Sequence, residues 1–239
     1  MTIRVADRVA AENFYNTVLR TLGIDESYRT NTFSEWDDFT LAAASAENPP
    51  TRRLHVGFVA PSRDQVDRFW RVGTAAGYRD DGPSGPRPQY SEDYYGAFLL
   101  DPDGNSVEAV RDSRPNRTGH VDHLWIRVGD VANARAFYQT IAPHAGLRLG
   151  DDTPDRVQFR GRDGGSFSLV AGTPTEHLHM AFPTRDNAVV DRFHEAALAA
   201  GHASNGAPGE RPRYHPGYYA AFVLDPDGNN IEVVNHNRD

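Results

Sequence analysis

Ten histidines and no cysteine set the chemical vocabulary of this chain. Thiolate catalysis, disulfides, zinc fingers and iron–sulfur clusters are excluded, so any metal has to be held by His, Asp, Glu, Tyr or carbonyl oxygen. The residues able to do chemistry lie in alternating segments. As a strand, 123–128 puts His123, Trp125 and Arg127 on one face and Leu124, Ile126 and Val128 on the other, because successive side chains point to opposite sides. The same rule sets His177, His179 and Ala181 against Leu178, Met180 and Phe182. If Leu224 pairs with Asn230, Glu232 shares a face with Phe222, Ala220 and Tyr218. Ligand-capable side chains go one way and apolar ones the other. His215 lies in a loop, and an imidazole is the kind of side chain that serves as an acid–base group. Arg211 and its counterpart Arg87 either clamp an anionic substrate or tie down a Pro-rich loop. Tyr218 either touches a ligand or packs as a β-former, and packing is the preferred reading for Tyr219. Asp225-Pro226-Asp227-Gly228 reads as turn chemistry and not as a pair of catalytic carboxylates.

These residues belong to a sequence written twice. Residues 87–108 recur at 211–232, and the spacing holds without a gap back to Leu54-His55 against Leu178-His179, with about half the positions identical. Upstream, 3–15 answers 126–138. Two domains are therefore expected, 1–113 and 119–239, joined by the Arg-, Pro- and Gly-containing segment 111–119. Within the second copy a strand at 123–128 leads into a helix capped by Asp130, and short strands follow around 156–159 and 166–170. A further strand begins at Leu178 and runs into a helix over about 187–200, ended by Gly201. The turn at 225–228 then folds the strand 218–224 back on 230–234 as a hairpin. Each copy is thus two strand–helix–strands units.

Thirty-three acidic against twenty-five basic residues give a net charge of −8, which argues against nucleic acid or an anionic membrane as partner. No apolar run approaches the roughly 20 residues of a membrane helix. The start has charges where a signal peptide needs its apolar core. A cytoplasmic protein, monomer or homodimer, acting on a small molecule is the expectation.

The segments VDHLWIRVGD near 121–130, HLHMAF at 177–182 and YYAAFVLDPDGNNIEVV at 218–234, repeated in one order, resemble the vicinal oxygen chelate superfamily of glyoxalases, extradiol dioxygenases and bleomycin-resistance proteins. The resemblance implies an α+β fold of four βαβββ modules forming two cupped mixed sheets with outer helices. It also implies one divalent ion, Fe(II), Mn(II), Ni(II) or Zn(II), held by His123, His179 and Glu232. Two imidazoles and a carboxylate leave open coordination positions for an oxygen-bearing substrate. The partner of His123 in the first copy falls at position 0, so at most one complete set forms. If modules are exchanged between the copies, the set becomes His123, His55 and Glu108.

The unexchanged arrangement is the first expectation, with Trp125, Arg127, His177 and Arg211 as substrate contacts and His215 and Tyr218 as catalytic groups. The resemblance leaves isomerase, lyase, epimerase or dioxygenase chemistry. Ring cleavage is disfavoured, because Phe222 and Arg213 stand where extradiol enzymes carry Tyr and His. The alternative is a metal-free protein that sequesters an antibiotic or metabolite, with Trp36, Trp70 and Trp125 suiting a cationic aromatic ligand.

Overall fold

The computed structural model describes residues 1–113, 118–162 and 164–237. Residues 114–117 of the expected linker lie outside the described residues. The chain runs through four modules of identical order. The first is β1 (Thr2–Val5), α1 (Arg8–Leu19), β2 (Tyr28–Arg29), β3 (Phe33–Trp36) and β4 (Phe39–Ala43). The second is β5 (Leu54–Val59), α2 (Arg63–Ala75), β6 (Arg79–Pro86), β7 (Tyr95–Leu100) and β8 (Ser106–Arg111). The third is β9 (Val121–Val128), α3 (Val131–Ile141), β10 (Leu147–Asp152), β11 (Arg156–Gly161) and β12 (Ser166–Ala171). The fourth is β13 (His179–Thr184), α4 (Asn187–Ala199), β14 (Ser204–Glu210), β15 (Tyr219–Leu224) and β16 (Asn230–Asn235).

Each helix starts where a short polar side chain can accept an orphan backbone N–H. Asp7, Ser62, Asp130 and Asp186 all do so, from Ala10, Gln65, Asn133 and Ala188. Apolar stripes such as Phe14, Tyr15 and Val18, or Phe137, Tyr138 and Ile141, then bury against the sheets. Leu124, Ile126 and Val128 are buried in that core, as the alternation requires. Asp225 accepts from the backbone N–H of Asp227 and Asn229, so the Asp-Pro-Asp-Gly segment is a turn that builds the hairpin, and Leu224 does pair with Asn230.

The sheets are not assembled copy by copy. Their strand orders are β14-β15-β16-β13-β1-β4-β3-β2 and β10-β11-β12-β9-β5-β8-β7-β6, each with parallel and antiparallel neighbours. Each sheet therefore joins one module of the first copy to one of the second: modules one and four, and modules two and three. The unexchanged pairing is corrected here. The junction that sets the outcome is antiparallel, Gly57 of β5 facing His123 of β9, and Thr2 of β1 facing His179 of β13. A seam ties the two sheets. Thr51 and Thr175 donate their hydroxyls to the carbonyls of His177 and Arg53, and Arg53 pairs with Glu176.

Candidate metal centre

Strand register brings three donors to one point. In the second sheet Gly57 is flanked by Glu108 of β8 on one side and His123 of β9 on the other, while His55, two residues earlier on β5, shares their face. His55 Nε2 lies 2.9 Å from Glu108 Oε2 and 3.2 Å from His123 Nε2, and the third edge, His123 Nε2 to Glu108 Oε2, is 3.3 Å. Glu108 is 1% exposed. Gly57 makes room: a Cβ there would stand 2.4 Å from His123 Cε1.

Neighbouring groups decide which atoms face inward. Ser106 has one hydroxyl hydrogen and lies 2.7 Å from Asp81 Oδ2, which can only accept it. Its oxygen must therefore accept from His55 Nδ1, 3.0 Å away, and the lone pair of His55 is left on Nε2. Asp122 Oδ2 lies 3.0 Å from His123 Nδ1, fixing an N–H there as well. Tyr94 donates to Glu108 Oε1 at 2.8 Å and leaves Oε2 for the centre. Two imidazole nitrogens and a carboxylate oxygen thus converge, and that is tolerable only around a cation.

The geometry fits a divalent ion. Three adjacent ligands about 2.1 Å from one octahedral ion stand about 3.0 Å apart, close to the observed triangle, and two His with one carboxylate is a set that leaves open positions. Without an ion, a proton takes its place. Burial opposes charge on His123, but its bonds to Asp122 and Glu108 outweigh burial and raise its pKa to about 9. Burial likewise opposes ionisation of Glu108, yet the two imidazoles hold it down at about 2. His55 is lowered, chiefly by burial. Burial and the Glu108 charge push the Tyr94 hydroxyl well up, so it is a proton donor in hydrogen bonds and not a base.

Beside the cluster opens a cavity of about 540 Å³ lined by Trp125, Tyr90, Tyr94, Gln158 and Ser166, among others. Trp125 sits 6.1 Å from His55, meets Tyr90 edge-on at 5.7 Å and lines the cavity together with His123.

Most of the other expected site residues lie elsewhere. His179 and Glu232 are paired at 2.8 Å in the first sheet, with Tyr218 donating to Glu232 at 2.5 Å. They are not joined by His123, and among the described residues the His55, Glu108 and His123 group is the one with metal-ligand geometry. The exchange of modules is the reason. His215 approaches Tyr218 and His236 in that same sheet, away from His123, and donates from Nδ1 to the Pro216 carbonyl. Arg211 spans its own loop, donating to the carbonyls of Ala207 and Glu210 and lying over Phe222. Arg87 does the same with Pro83, Pro86 and Phe98. Both arginines tie down loops. Arg127 donates to the Arg53 carbonyl, and exposed His177, at φ +58°, lends its carbonyl to Thr51; both belong to the seam. Trp36 is buried in the core and Trp70 donates to Asp80, so neither meets the cavity.

Sequence reasoning missed Asp122, Ser106, Asp81 and Tyr94 as orienting groups. One signal was available: Gly57 and Gly96 stand where the second copy has Ala181 and Ala220, and a Cβ at either glycine would strike His123 or Glu108.

The family described as the Glyoxalase/Bleomycin resistance protein/Dioxygenase superfamily matches residues 1–109, and the remainder of the chain repeats that half. Among curated protein sequences none matches. Crystal structures do: glyoxalase I from Zea mays is 17% identical over 98% of this chain and 90% of that one, with a TM-score of 0.71. A candidate dioxygenase from Bacillus subtilis is 13% identical over 100% and 84%, with a TM-score of 0.67. At these identities the likeness is one of fold.

Proposed function

We propose that the chain, whose residues 1–109 match the Glyoxalase/Bleomycin resistance protein/Dioxygenase superfamily, is a metal-dependent enzyme of that kind acting on a small molecule through one divalent ion at His55, Glu108 and His123. The observation that carries this reading is the convergence of three lone-pair donors whose outer atoms are each fixed by Asp122, Ser106 and Tyr94. Bound there, a divalent ion would act as a Lewis acid toward substrate oxygens. The chain's own residues supply the rest. Tyr94 holds Glu108, Asp122 and Ser106 hold the imidazoles, and Trp125 with Tyr90 forms an aromatic wall that orients a flat ligand and excludes water. The copies 1–113 and 119–239 each contribute one module to each sheet in this reading, so the site needs both. Isomerase, lyase, epimerase and dioxygenase chemistry all fit a site of this kind. No helix among the described residues is long and apolar enough to cross a membrane.

Elemental analysis of protein purified without chelator should return one equivalent of divalent metal per chain. Two equivalents would contradict the single complete set, and none after incubation with Mn(II), Fe(II), Ni(II) and Zn(II) in turn would overturn the reading. The second reading, a metal-free binding or resistance protein, would then stand, since protonated His123 supplies the cation the cluster needs.

Metal and proton compete for that position. His123 carries the proton up to about pH 9 in the metal-free protein, and metal uptake must expel it. Affinity for Mn(II) should therefore rise about tenfold per pH unit from near neutrality to about 9, then level off. Titrations at several pH values check this, and a flat profile contradicts it. The sign for the metal-free fold is the reverse: a raised pKa stabilises below the unfolded value and that contribution fades as pH climbs to about 9.

A further inference from the structure

The register that aligns the metal donors continues across the sheet. One transverse row runs Arg148 of β10, Arg160 of β11, Ser166 of β12, His123 of β9, Gly57 of β5 and Glu108 of β8. Alternation puts these side chains on one face, and Arg148, Arg160, Ser166 and His123 all line the 540 Å³ cavity. Strands are spaced about 4.8 Å apart, so Arg160 stands about 10 Å from His123 along the row and Arg148 about 14 Å. Arg156 and Arg162 line the same end. One carboxylate, Asp151, serves Arg156 at 2.9 Å and Arg160 at 3.7 Å. Among the described residues no carboxylate pairs with Arg148. Arg160 is also aimed, its Nε donating to Gln158 Oε1 at 2.7 Å.

The first sheet shows that the scaffold does not require this. Its corresponding strands β3 and β4 meet at Asp37 and Asp38, with Glu35 opposite Thr40 where the second sheet sets Gln158 opposite Ser168. The charge has the opposite sign. The chain holds 25 basic residues, all arginine, and the planar guanidinium fork matches a carboxylate in two-point contact.

We propose that the ligand of this cavity is a carboxylate, its acidic group held by Arg148 and Arg160 while its chelating oxygens face His55, Glu108 and His123. The inference rests on the metal-centre reading for the orientation of the ligand, though the anion contact itself does not need the ion. It opposes the cationic aromatic ligand of the metal-free alternative: Asp112 and Asp122 line the cavity as well, Asp122 bonded to His123, but among the described residues the β10–β11 end sets Arg148, Arg156, Arg160 and Arg162 against the single carboxylate of Asp151.

The test compares 3,4-dihydroxybenzoate with its methyl ester, which differ in the charge of one group. Binding is measured calorimetrically under anaerobic conditions, on Mn(II)-treated and on metal-free protein, with bound Mn(II) counted on the same samples. The wild-type protein should prefer the acid at least about tenfold, and Arg148→Gln/Arg160→Gln should reduce that preference to within about twofold while bound Mn(II) stays the same. Equal binding of acid and ester to wild type, or an unchanged preference in the double variant, overturns the proposal and leaves the metal-centre reading intact. Absence of bound Mn(II), and of Fe(II), Ni(II) and Zn(II) when each replaces it, overturns that reading instead, and the acid-to-ester ratio on metal-free protein then decides the carboxylate proposal. If the double variant fails to fold, the wild-type ratio together with Arg148→Gln alone decides it.

Discussion

Glu108→Gln should lose the metal, and Glu232→Gln should keep it. The two glutamates occupy equivalent positions of the duplicated sequence, are each 1% exposed, and each accept from a tyrosine and meet a histidine. They differ in one partner. Glu108 faces His123 as well as His55, whereas Glu232 faces His179 alone among the imidazoles. An amide in place of Glu108 removes the charge and presents a donor group to the imidazoles, so affinity should fall about 100-fold or more. At Glu232 the same change disturbs a hydrogen bond with Tyr218 and leaves the three converging donors untouched. Metal content of the purified variants by elemental analysis gives the answer. Loss of metal in Glu232→Gln with retention in Glu108→Gln would place the centre in the other sheet, against the strand order.

Which half of the molecule carries the centre was not legible in the sequence, for a physical reason. Alternation in 123–128 and 177–182 assigns each side chain a face, and the hairpin register at Leu224 and Asn230 assigns Glu232 one too. Face assignment is local. The partner of a strand edge is not, since β9 joins β5 rather than β13 through an antiparallel contact between segments about 70 residues apart. The two pairings leave every local pattern unchanged, so both donor sets stayed open, with His123 common to both. Arg127 and His177 share a face with true or candidate ligands but sit at strand ends, where the seam between sheets takes them up. Arg87 and Arg211 illustrate the same limit, because a guanidinium in a Pro-rich loop can reach carbonyls of its own loop before any substrate. The fold itself was legible: four repeats of strand, helix and three strands, with Asp or Ser at every helix start.

A single methyl group at position 57 should cost most of the metal affinity without unfolding the protein. Gly57 stands directly opposite His123, and a Cβ there would be 2.4 Å from Cε1 and 2.7 Å from Nδ1 of the ring. The imidazole cannot simply lean away, because its Nδ1 is held by Asp122 and its Nε2 belongs to the donor triangle. Gly57→Ala must therefore break the Asp122 bond, move Nε2, or both, and a loss of about 10- to 100-fold in affinity follows from misdirecting a ligand in this way. The backbone has no objection to alanine: Gly57 is not among the positive-φ glycines, and the sister strand carries Ala181 at the same place, where no imidazole arrives. Circular dichroism of Gly57→Ala should accordingly resemble wild type in the metal-free state, with thermal unfolding still cooperative though at a lower temperature because the bonds of protonated His123 are disturbed, while Mn(II) titration shows the loss. Ala181→Gly is the control and should leave Mn(II) binding unchanged. Undiminished Mn(II) affinity in Gly57→Ala would mean that His123 is not held over Gly57 when metal binds, and the donor set would have to be sought without it.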